Sequence, residues 1–108
     1  MPDANNPSAA LLPADCQTMA EVRAGVDDVD RALVALLVRR FGYMDAAARI
    51  KDARNAVRDE PRKAQVIANV RAEAVALGLP AALLVRLWDD LVEGSIAYEL
   101  DSWDKTRS

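Results

Sequence analysis

Arg40 and Lys51 lie eleven residues apart in a stretch whose apolar residues recur in steps of four and three: Val22, Val26, Val29, Leu33 and Leu37. Continuing those steps leads to Arg40, Met44, Ala47 and Lys51. At about 100° per residue, eleven residues make about three helical turns, so the two cations point the same way. They occupy a stripe that should be buried, and no carboxylate shares it. Charges taken out of water need a partner or a ligand. Inward cations of this kind suit an anionic ligand. A planar guanidinium can grip a carboxylate through two parallel hydrogen bonds.

Further polar groups fall on predicted inner faces. Arg23 sits at the edge of the first stripe, beside Val22 and Val26. Arg62 is four residues before Val66, on the face of Val66, Ile67 and Val70. Ser95 and Glu99 continue the line Leu84, Leu87, Trp88, Leu91 and Val92. Pooled, they set three inward cations, Arg40, Lys51 and Arg62, against one inward carboxylate, an excess that a dicarboxylate would neutralise. Each also has a plainer reading. Arg23 can lie on the surface, Arg40 can reach back to water along its stem, and Lys51 can favour a helix C-terminus. Arg62 can pair with Asp59, and Asp59 can serve as a helix cap. Ser95 and Glu99 can be ordinary helix residues.

Three helices must position these groups. Four glycines, five aromatic residues and few β-branched residues other than valine favour helix over sheet. Residues 1 to 18 hold three of the five prolines and read as a flexible arm anchored by Leu11 and Leu12; residues 19 to 108 read as one helical domain. Thr18 and Glu21 have the spacing of a capping box, opening a first helix from Met19 to about Arg54. Asn55 to Pro61 forms a turn, with Asp59 as N-cap and Pro61 in the first turn of a second helix. That helix runs to about Leu77. Gly78 ends it, and Pro80 opens a third that runs to Trp103. A first helix of about 35 residues spans roughly 50 Å, whereas a compact chain of this size has a radius of gyration near ~13 Å. The helix overshoots one globule, which predicts an all-α, intertwined homodimer.

Composition narrows the function. The 108 residues carry a net charge of −3, yet residues 39 to 71 hold nine Lys or Arg against four Asp or Glu. An acidic chain with a local basic excess fits a small anion better than nucleic acid. The single cysteine, Cys16, excludes an internal disulfide, and the lack of histidine argues against a transition-metal site. No apolar run approaches the ~20 residues of a membrane span. The N-terminus shows no secretory pattern, so a cytoplasmic location is expected.

With these residues in view, the chain resembles the all-helical chorismate mutase family over about residues 16 to 107. The matching segments are Val22-Arg23-x-x-Val26-x-x-Val29-Asp30, Ala35-Leu36-Leu37-Val38-Arg39-Arg40, Ala48-Arg49-Ile50-Lys51, Asp59-Glu60-Pro61-Arg62 and Gly94-Ser95-Ile96-Ala97-Tyr98-Glu99. None is specific alone; five in order at these spacings make the case together. The resemblance implies an intertwined dimer of three-helix chains with shared active sites. It makes Arg40 a carboxylate-binding arginine and Lys51 the contact to the substrate ether oxygen. Arg23 would reach into the partner's site, while Asp59, Arg62 and Ser95 would line the pocket. Glu99 stands where many members carry Gln and others Glu. Lys63 stands where the family commonly has a Glu that contacts the substrate hydroxyl.

The activity so implied is rearrangement of chorismate to prephenate, a pericyclic step that needs no cofactor and no metal. The segments from Asp15-Cys16 to Lys51 and from Ile96 to Arg107, with Trp103-x-x-Thr106-Arg107, look especially like the isochorismate pyruvate-lyase branch. That branch implies release of pyruvate from isochorismate to leave salicylate. A third reading, of another class, is a non-catalytic helical dimerisation module with incidental inward cations.

Overall fold

A computed structural model describes residues 11–108, which contain three α-helices and no strand. The first ten residues of the expected arm lie outside the described residues. Helix α1 spans Met19–Ile50, α2 spans Glu60–Ala76 and α3 spans Ala81–Thr106. Single 3-10 turns occupy Pro13–Asp15 and Arg54–Ala56. The chain divides into two compact units, Met1–Arg40 and Phe41–Ser108.

The helix starts follow from local chemistry. Thr18 Oγ1 accepts the Glu21 N–H at 3.2 Å, while Glu21 Oε1 accepts the Thr18 N–H at 3.0 Å. This reciprocal exchange satisfies two donors that a helix N-terminus otherwise leaves open. Asp59 caps α2, its Oδ1 accepting the Arg62 N–H at 3.0 Å. At the end of α2 the Leu79 N–H reaches Ala74 O at 2.8 Å and the Gly78 N–H reaches Val75 O at 3.2 Å. These two bonds form a Schellman motif around Gly78, whose φ is +73°.

Two helix ends differ from the sequence expectation. α1 stops at Ile50 rather than Arg54. Neither glycine nor proline marks that stop. The last helical bond is Lys51 N–H to Ala47 O, and beyond it the carbonyls of Ala48 and Lys51 bond to side chains near the end of α3. The carbonyls at this helix end are thus met by side chains distant in sequence. α3 continues to Thr106 rather than stopping at Trp103. A Lys105–Asp101 ion pair at 2.8 Å supports its last turns.

In the unit Met1–Arg40 the predicted stripe of α1 is open. Val26, Val29 and Leu33 are each more than half exposed. Leu11, Leu12, Pro13 and Cys16 lie with Val22, Gly25, Val26 and Val29 around an apolar cavity of about 420 Å³. In the unit Phe41–Ser108, α2 and α3 pack on each other. The small core there consists of Ala48, Val57, Ala74 and Val92. Phe41 meets Tyr98 edge to face at 4.8 Å, and Asp45 accepts from Tyr98 Oη at 3.0 Å and Ser102 Oγ at 3.1 Å. These contacts fasten the last turns of α1 to α3.

Candidate active site

α3 buries Val92, Ser95 and Glu99 on one line at steps of three and four. Ser95 and Glu99 are the buried polar side chains among the described residues. A hydroxyl and a carboxyl on an otherwise apolar line need internal partners. Ser95 Oγ donates to Leu91 O at 2.6 Å, one turn back. Glu99 Oε2 accepts from Lys51 Nζ at 2.7 Å. Lys51 also donates to Val57 O at 3.4 Å, across the connection between α1 and α2. An ammonium has three donors, so these two bonds leave one for a ligand oxygen. The Glu99 side chain is 6% exposed and that of Lys51 28%. The lysine end of this ion pair is the more open of the two.

The segment between α1 and α2 carries Lys51 and is held from several sides. Val57 is buried within it. Arg54 binds Asp104 through two bonds, at 2.8 and 3.2 Å. Arg58 Nη2 and Nη1 donate to Glu93 at 2.7 and 3.1 Å, and Nη1 also reaches Glu60 at 2.9 Å. Lys63 bridges Glu93 and Asp89, each at 2.9 Å. Arg58, and after it Lys63, hold the Glu93 carboxyl at a pKa of about 2. Lys63, at the position where the resemblance implies a glutamate, thus joins an ion-pair network that ties the start of α2 to α3. Its ammonium pKa is raised, chiefly by Glu93 and then by Asp89.

The other sequence candidates divide. Asp59 is the α2 cap, the plain reading given above. Arg62 was expected on an inner face but is exposed, and its Nη1 donates to Gln65 Oε1 at 2.8 Å, along its own helix. Gln65 lies three residues on, beside Arg62 on the helix surface and within reach of its long side chain. In the other unit, Arg23 is exposed and Arg40 is partly buried. Desolvation lowers the Arg40 pKa, so its cation is held where water solvates it poorly. Among the described residues no three His, Cys, Asp or Glu side chains gather as a metal site would require. No helix there is long and apolar enough to cross a membrane.

Sequence reasoning gave no site role to Arg107 and Trp103, which bond the end of α1. The signal was present: Glu99, Trp103 and Arg107 are spaced by four, which puts Glu99 and Trp103 on one face of α3 and Arg107 at its cap.

Residues 22–100 match the family described as chorismate mutase type II. The chain belongs to that family. Among its relatives is an isochorismate pyruvate lyase of Pseudomonas aeruginosa, 30% identical over 95 residues, a span that covers 88% of this chain and 94% of that protein. Membership of the type II chorismate mutase family makes the half-buried Lys51–Glu99 pair a candidate catalytic feature.

Proposed function

We propose that the chain is a chorismate mutase that converts chorismate to prephenate, working as a homodimer with shared active sites formed by residues 19–108. The observation that carries this reading is the Lys51–Glu99 pair. A buried carboxyl on α3 holds an ammonium at the end of α1 with one donor left to offer. In the rearrangement the ether C–O bond breaks as a C–C bond forms, and negative charge gathers on the ether oxygen. Lys51 would donate to that oxygen, and such preorganised donors act most strongly where water is excluded. Arg40 and Arg23 of the partner subunit would hold the two carboxylates and so select the compact reactive conformer. Ser95, Arg62 and Asp59 would complete the pocket wall. Aromatic amino-acid biosynthesis in the cytoplasm is the setting this reading implies.

Glu99 would be the second donor to the ether oxygen, which requires a proton on it. Glu99→Gln, whose amide is a permanent donor, is therefore expected to keep kcat/KM, and Glu99→Ala to lower it. A Glu99→Gln variant as impaired as Glu99→Ala would count against this role. The second copy is supported by the open Val26–Val29–Leu33 stripe. Contiguous apolar surface of that kind marks a contact site.

One observation favours a second reaction. The relative that matches this chain nearly end to end carries the name isochorismate pyruvate lyase. The same cations would serve that reaction, which also breaks an ether bond next to carboxylates. Incubating the pure protein with each substrate separates the readings. Prephenate from chorismate supports the mutase, salicylate and pyruvate from isochorismate the lyase. Conversion of neither supports a non-catalytic module.

A further inference from the structure

The functional reading uses the ammonium of Lys51, but the backbone of the same residue is held too. Arg107 Nη2 donates to Lys51 O at 2.6 Å, and Trp103 Nε1 donates to it at 3.3 Å. Arg107 Nη1 donates to Ala48 O at 3.0 Å. The guanidinium carbon stands 4.2 Å from the Trp103 ring centroid, close enough for a cation–π contact. A helix end leaves its last carbonyls without intrahelical donors, and a cation there also complements the helix dipole. Ala48 is fully buried, which keeps its carbonyl from turning to water.

Glu99 and Trp103 lie one turn apart on α3, and Arg107 caps its end four residues further on. The first binds the Lys51 ammonium and the other two bind its carbonyl. The last turns of α3 and its cap residue therefore grip Lys51 at both ends. The residues after Lys51 have only a 3-10 turn for regular structure before Asp59.

We propose that Arg107, seated on Trp103, is a positioning residue that fixes where Lys51 leaves α1 and so aims its ammonium along the Glu99 side of the pocket. This rests on the reading of Lys51 as the donor to the ether oxygen. Arg107 acts through Lys51 and touches no substrate.

The test compares Arg107→Ala, Arg107→Lys and Trp103→Phe in the full-length chain, by steady-state kinetics and by amide hydrogen exchange. Arg107→Ala is expected to lower kcat about tenfold with KM within about twofold, since small misplacement of a reacting group mainly costs rate. Exchange should quicken in residues 48–57 and stay unchanged in 64–76. Arg107→Lys should fall between, because an ammonium cannot bridge both carbonyls as a planar fork does. Trp103→Phe keeps an aromatic ring and loses one donor, so it gives a smaller effect of the same kind; it decides the matter if Arg107→Ala does not fold. An unchanged kcat, a loss carried by KM, or faster exchange throughout the chain overturns the proposal. If the parent converts neither substrate, the functional reading fails by itself. The exchange result then decides alone whether Arg107 holds Lys51: quickening confined to 48–57 upholds it, and no change overturns it.

Discussion

Residues 11–40 and 41–108 solve the problem of folding differently. The second region fastens itself with side chains that meet across long sequence distances: Lys51 with Glu99, Arg54 with Asp104, Arg58 and Lys63 with Glu93, and Asp45 with Tyr98 and Ser102. In the first region the Thr18–Glu21 box and the pairing of Arg31 with Asp28 at 3.8 Å join near neighbours in sequence. Its apolar stripe stays open. The difference teaches that the second region positions Lys51 and Glu99 by its own contacts, while the first leaves an apolar face, the one on which the proposed second copy would dock.

Predictions that break or sharpen this contrast run from large to small. Leu33→Glu places a carboxylate in the middle of the open stripe. On an isolated chain, a half-exposed substitution changes stability by about 0.5 kcal/mol or less. In a dimer, an unpaired charge buried at the interface costs several kcal/mol, so association should weaken at least about a thousandfold. Analytical ultracentrifugation reads the outcome, and an undisturbed oligomeric state contradicts the contrast. Lys51→Ala removes the donor in the second region and should lower kcat/KM by roughly 10²–10³-fold without changing the oligomeric state. Stopped assays of prephenate and salicylate measure it.

The capping residues give smaller effects. Gly78→Ala forces a Cβ onto a backbone with φ of +73°, where nothing lies within 4 Å of the added atom. Its cost is conformational, about 1–2 kcal/mol. Thr18→Ala loses the cap of the first region and costs about 1 kcal/mol. Urea unfolding resolves both. The smallest effect is acid stability. Glu93 is depressed from 4.5 to about 2, first by Arg58 and then by Lys63. Its contribution is fully present above about pH 4.5 and is lost as pH falls through that window toward 2. Glu93→Gln should therefore lower the urea midpoint slightly near neutrality and flatten its fall between about pH 4.5 and 2, so that variant and parent converge at the acid end.

Much of this was legible from sequence where the physics is local. The capping box at Thr18, the Asp59 cap and the turn at Gly78 depend on neighbours within a few residues. The line through Val92, Ser95 and Glu99 was visible because burial follows helical period. The end of α1 was not, and the side chains that bond its last carbonyls lie more than fifty residues away. Nor was the Arg62–Gln65 bond, since periodicity gives a face but not which acceptor takes the tip of a long side chain. Lys63 could be seen as unusual, but its Asp89 and Glu93 partners emerge only when α3 folds back on α2.

The central claim is that the first region of each chain completes the site of the other. Mixing Arg23→Ala with Lys51→Ala under conditions that exchange subunits tests it most directly. In the mixed dimer one site keeps Lys51 of its own chain and Arg23 of the partner subunit, while the other site loses both. Two variants that are nearly inactive alone should together regain about a quarter of the parent activity, because half the dimers are mixed and each restores one site. A mixture no more active than its components, with exchange verified by mass, would contradict the account.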